Sequence, residues 1–125
     1  MVGYSRSSEP RRRHKRFTPP RAEVVCVPRS FWTLFRSANV AVHLKDVSLG
    51  GAQIVTAKPL QPGLKTDLTL SFPGFPGPVK IEADVRWCHR DTLSLAPKWN
   101  AGLTIKRISP AHESRLADVD RTYMS

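Results

Sequence analysis

The stretch KIEADVRW, residues 80–87, alternates strictly between charged and apolar side chains, with Lys80, Glu82, Asp84 and Arg86 on one side and Ile81, Ala83, Val85 and Trp87 on the other. A period of two places successive side chains on opposite faces of an extended chain. The run therefore reads as a half-buried strand with one wet face and Trp87 among its apolar residues.

The same signature recurs on both sides of it. Leu68, Leu70 and Phe72 alternate with Asp67, Thr69 and Ser71; Val40, Val42 and Leu44 alternate with Ala41, His43 and Lys45; Trp99, Ala101, Leu103 and Ile105 alternate with Asn100, Gly102, Thr104 and Lys106. Shorter runs at 21–27 (RAEVVCV) and 51–57 (GAQIVTA) fit the plan. LGG at 49–51, QPG at 61–63, PGFPGP at 73–78 and RDTLSLAPK at 90–98 punctuate the runs as turns or loops. Short connections imply antiparallel pairing, and strands with one apolar face must close or stack to bury it. The expected fold is mainly β, a six-stranded antiparallel barrel.

The end of the chain changes period. Leu116, Val119 and Tyr123 fall on one helical face, Ser109 suits the N-cap, Pro110 the first helical position and Glu113 the opening turn. The spacing predicts a short C-terminal helix against the barrel. PRSFWTLFRSA, residues 28–38, has neither period, and is expected to plug the barrel or form a small extra hairpin.

At 125 residues the chain supports one core. Its net charge is +10, and Arg6, Arg11, Arg12, Arg13, Lys15, Arg16 and Arg21 against Glu9 alone place +6 of it in the first 21 residues. Residues 1–20 thus read as a flexible basic arm ahead of a barrel and helix spanning 21–125, and the asymmetry points to an anionic partner. Cys26 and Cys88 lie in separate strands and read as buried, reduced thiols; a single Cys-His pair at 88–89 is no zinc site. His14, His43 and His112 are assigned surface or packing roles. No apolar run approaches the length needed to cross a bilayer, so a cytoplasmic protein without membrane insertion is expected. No nucleophile elbow, zincin helix or Walker loop is present, and the chain does not read as an enzyme.

Two motifs remain, Arg12-x-x-x-Arg16 on the arm and Asp46-x-Ser48-x-x-Gly51 at the end of a strand. In this order, with ADVRW (83–87), NAGLTI (100–105) and a closing helix, the chain resembles the PilZ domain family of cyclic di-GMP receptors over nearly its whole length, as a single-domain member. The resemblance implies a six-stranded barrel that binds cyclic di-GMP, without further cofactor or metal, through Arg12, Arg16, Asp46, Ser48 and Gly51. Arg11 is expected to add a phosphate or guanine contact, with Arg13 and Gly50 as additional candidates. The chemistry agrees: an arginine fork grips a phosphate or the O6/N7 edge of guanine with paired hydrogen bonds, and a carboxylate accepts from guanine N1–H and N2–H. The implied output is a signal to a protein partner. Two rival readings are a nucleic-acid-binding barrel using the basic arm and a ligand-independent adaptor.

Overall fold

Alternation becomes strand where the pattern is regular. The computed structural model describes residues 16–19, 21–29 and 39–124. In them the strands are β1 (Glu23–Arg29), β2 (Ala41–Val47), β3 (Gly51–Thr56), β4 (Lys65–Ser71), β5 (Val79–Arg90) and β6 (Trp99–Ile108), followed by α1 (Pro110–Met124). Pro28 and Arg29 complete β1, whereas the rest of the aperiodic aromatic segment, 30–38, lies outside the described residues.

The strands form one antiparallel sheet in the order β1-β4-β5-β6-β3-β2. The sheet curls until its edges meet, where Val40 N–H donates to Cys26 C=O at 2.9 Å and Asn39 Oδ1 accepts from Cys26 N–H at 2.7 Å. Inside the curl Leu68, Leu70, Ile81, Ala83, Val85, Ile54 and Leu103 are buried together, as their alternation requires. Gly63 and Gly74 sit at φ of 91° and 85° in turns that a Cβ would strain.

The helix begins where its cap predicts. Ser109 Oγ accepts from His112 N–H at 3.3 Å, and Ser109 C=O accepts from Glu113 N–H at 2.8 Å. Leu116 and Val119 are fully buried against the end of the barrel, and His112 Nδ1 accepts from Lys80 N–H at 2.9 Å. His112 thus fastens α1 to β5.

Bulges correct the simple alternation on β2 and β5. On β2, Ala41 pairs with Thr56 and His43 with Val55, leaving Val42 unpaired; Leu44 then pairs with Ile54 and Asp46 with Gln53, leaving Lys45 unpaired. An extra residue reverses the facing of all that follows. Val42 is therefore 44% exposed although it alternates with core positions, while Leu44 and Val47 are buried. On β5, Val85 pairs with Leu103 but Trp87 pairs with Gly102, so Arg86 is the extra residue. Trp87 consequently leaves the core side shared by Ile81, Ala83 and Val85 and joins the outer face.

Both cysteines are free, Cys26 buried and Cys88 only half-buried, the latter accepting Leu60 N–H at 3.4 Å through Sγ. Burial pushes the Cys26 thiol from its ordinary 9.0 up to about 11, with nearby Asp67 adding to the rise and a hydrogen bond with Thr66 opposing it.

Leu44→Ala should cost about 2–5 kcal/mol in urea unfolding, and Val42→Ala well under about 1 kcal/mol. Equal losses would contradict the bulge at Val42. For Cys26, the unfolded thiol ionises before the folded one, so its contribution to stability is complete below pH 9 and declines as pH rises toward 11. Removing the thiol by Cys26→Ala should flatten that part of the stability profile, and native alkylation near pH 8 should modify Cys88 first; preferential modification of Cys26 would refute its burial.

Candidate functional site

Phe17 fixes how the arm reaches the barrel. Its N–H donates to Val47 C=O, and Val47 N–H donates back to Phe17 C=O, both at 2.9 Å, a one-residue antiparallel extension of β2. The Phe17 ring is buried in the core and stacks on Tyr123 of α1, with centroids 5.9 Å apart and planes 12° from parallel. Anchored in this way, the neighbouring Arg16 turns to the outer face, where its Nη1 donates to Asp46 Oδ1 at 2.6 Å. Arg16 and Asp46 keep 29% and 22% of their side-chain surface exposed, so the pair remains open to solvent.

Strand register extends this pair into a row. Asp46 pairs with Gln53, Gln53 with Gly102, and Gly102 with Trp87, which carries the row across β2, β3, β6 and β5. A Cβ on Gly102 would lie 2.3 Å from Trp87 Cε2, so the indole rests flat on glycine backbone. Trp87 also stacks on His89, at 5.3 Å and 17°. One row further on, His43, Val55, Asn100 and His89 pair in turn, and Lys45 Nζ donates to Asn100 Oδ1 at 3.3 Å. The outer face thus offers a guanidinium, a carboxylate, an amide and an aromatic plane side by side. That set can grip an anion, read a base edge and stack on a base.

The serine and glycines of the motif build the turn beneath this face. Ser48 is buried, and its Oγ accepts from Gly50 N–H at 3.1 Å and Gly51 N–H at 3.2 Å. Ser48 N–H donates to Gly51 C=O at 2.8 Å, and Gly50 C=O accepts from Ile105 N–H at 3.0 Å, fastening the turn to β6. A Cβ on Gly51 would stand 2.3 Å from Leu103 O, so glycine is required for β3 to lie against β6. Arg11, Arg12 and Arg13 lie outside the described residues.

Sequence reasoning found Arg16 and Asp46 but not Gln53, Gly102 or Trp87 as their neighbours. The missing signal is register: only the bulge at Arg86 brings Trp87 to this face. A hollow of about 480 Å³ does exist elsewhere, lined by residues including Asp67, Lys80, Glu82, Arg107 and His112. Its Asp67 and Glu82 carboxylates are already engaged by Arg29, and none of its lining residues belongs to the Arg16–Asp46 row. The row, where the motif residues meet, is the better candidate. Among the described residues no cluster of His, Cys, Asp or Glu could hold a metal ion.

A curled antiparallel sheet, closed by a helix and carrying Arg16 beside the outward carboxylate of Asp46, defines a small β-barrel domain. The chain belongs to the PilZ domain family, whose model matches residues 10–119. Among solved structures it is similar to the PilZ domain of Escherichia coli YcgR with c-di-GMP, at 20% identity and TM-score 0.69, over 91% of this chain and 92% of that one. It is also similar to K. pneumonia MrkH in complex with c-di-GMP, at 18% identity and TM-score 0.64, over 90% of this chain and 52% of that one. The Bacillus subtilis inhibitor of motility MotI matches at 20% identity and TM-score 0.68, over 89% of this chain and 51% of that one. The chain spans about half the length of MrkH and MotI, and 45% of the longer YcgR chain. A comparison with curated protein sequences returns no match.

Gly102→Ala should lift the Trp87 ring off the sheet and cost about 1–3 kcal/mol in thermal or urea unfolding. The Trp87 indole N–H resonance, assigned with Trp87→Phe, should move in the Gly102→Ala variant; an unmoved resonance would refute the contact.

Proposed function

We propose that this chain is a receptor for cyclic di-GMP that binds through its arginine arm and the outer face of the barrel, and that it acts as a signalling module rather than a catalyst. The observation that carries the reading is the Arg16–Asp46 pair, which brings the two motifs together on an open surface 2.6 Å apart. Membership of the PilZ family and the c-di-GMP named for the YcgR and MrkH structures support it.

In this reading Arg16 and Arg12 take phosphate or guanine edges, Asp46 accepts from guanine N1–H and N2–H, and Arg11 and Arg13 add charge or a further base contact. The Arg16–Asp46 pair uses one guanidinium nitrogen and one carboxylate oxygen, which leaves donors and an acceptor for a ligand. Ser48, Gly50 and Gly51 contribute by holding the turn that presents Asp46. The stacked Trp87 and His89 rings together supply an aromatic surface on which a base can stack. Binding draws the arm N-terminal to Arg16 onto the face, while Phe17 already holds its root, and the covered face is the surface a protein partner reads.

Isothermal titration at physiological salt should give binding of cyclic di-GMP and none of GTP. Arg12→Ala/Arg16→Ala should weaken it by about a hundredfold or more, since each arginine supplies charge-assisted hydrogen bonds. Amide exchange over residues 9–15 should slow on binding. A contact with a nucleic-acid backbone would lose roughly 10³- to 10⁵-fold in affinity between 50 and 200 mM salt, whereas a ligand with two phosphates should lose far less. No heat with cyclic di-GMP from folded protein would overturn the proposal.

A further inference from the structure

The β5–β6 loop displays two leucines that pack against none of the core among the described residues. Leu93 and Leu95 are 94% and 106% exposed, whereas Ser94 between them is half-buried, so the two side chains leave the tip together. The loop that presents them is held in shape. Asp91 N–H donates to Lys98 C=O at 2.8 Å and closes its neck, and Asp91 Oδ1 accepts from Leu93 N–H at 3.0 Å, setting the turn.

Basic and aromatic groups surround the base of this tip. Arg90 lies 5.5 Å from the centre of the Trp99 ring, and Lys98 lies in the loop immediately before β6. Thr56 pairs with Trp99, so exposed Lys58, two residues on, emerges beside the same neck. The loop's one acid, Asp91, is occupied in the turn. From tip to base the chain therefore passes from apolar side chains to a level where cationic and aromatic groups lie together, since Arg90 pairs with Trp99.

We propose that this hairpin tip is a membrane-contact site, which inserts Leu93 and Leu95 at the surface of an anionic lipid bilayer while Lys58, Arg90 and Lys98 meet the headgroups. A bilayer surface has this layering in complement: hydrocarbon beneath, anionic headgroups above, and an interfacial zone that favours tryptophan. Area also selects lipid over a protein. A stable protein interface takes about 800 Å² from each partner, with its anchors seated in pockets, and a convex tip of two leucines falls well short of that. Lipid accepts a convex tip of any shape. The site needs no spanning segment, and none of the described helices is long and apolar enough to provide one.

The test is co-sedimentation of the full chain with vesicles of phosphatidylcholine mixed with phosphatidylglycerol, and with vesicles of phosphatidylcholine alone. Binding should require the anionic lipid and weaken with added salt. Leu93→Ser/Leu95→Ser should lower partitioning by about tenfold or more, and Leu93→Phe/Leu95→Phe should retain it. Both variants should titrate cyclic di-GMP like the wild type, which separates this inference from the receptor proposal. Serine variants that sediment like the wild type would assign any lipid attraction to the basic arm and overturn the site. Failure of the folded wild type to bind either vesicle, including the case where the leucines prove to serve a protein partner, would overturn it equally.

Discussion

The two-against-one pairing at Lys45, between Leu44 and Asp46, is the constraint on which the outer face depends. A regular strand would send Asp46 to the same side as Leu44, into the barrel, where a carboxylate without partners carries a heavy desolvation penalty. The extra residue turns Asp46 outward and Val47 inward in a single step. Arg86 does the same for Trp87 on the far side of the sheet. Two bulges, on strands separated by β3 and β6, thereby deliver the acid and the aromatic plane to one surface without disturbing the core.

Beneath that surface, holding and binding are assigned to different residues. The Arg16–Asp46 ion pair is partly exposed, and pairs of that kind contribute about 0–1 kcal/mol. It is too weak to secure the arm. Burial of the Phe17 ring contributes about 1.5–3 kcal/mol, and its two backbone hydrogen bonds with Val47 add direction. Arg16 is thus held in place by its neighbour and does not depend on its own charge for position. Its charge can be shared with a ligand without releasing the chain.

What the sequence made legible follows from how local each feature is. Strands β4, β5 and β6 and the helix are written in periodicity and capping that need only neighbouring residues, and the structure keeps them with ends shifted by a few positions. Arg16 and Asp46 were legible because their motifs carry recognisable chemistry at fixed spacing. Trp87 was assigned to the apolar side because a bulge leaves no mark in the hydrophobic pattern; it is a property of two strands in register. Ser48 and Gly51 were legible as motif residues but not as turn-builders, since the hydrogen bonds to Gly50 and Gly51 and the approach of Leu103 exist only in three dimensions.

The closure of the sheet also bears on how copies of this protein meet one another. An edge strand with free N–H and C=O groups is a template for strand addition. Here the middle of β1 is blocked at Cys26, whose N–H goes to Asn39 Oδ1 and whose C=O takes Val40 N–H, and the end of β2 is blocked at Val47 by Phe17. With those positions occupied, growth of the sheet from one molecule into the next has no clear register to start from. Self-association, where it occurs, is directed to side-chain surfaces, and assembly can be tuned by surface chemistry without exposing the backbone to runaway pairing.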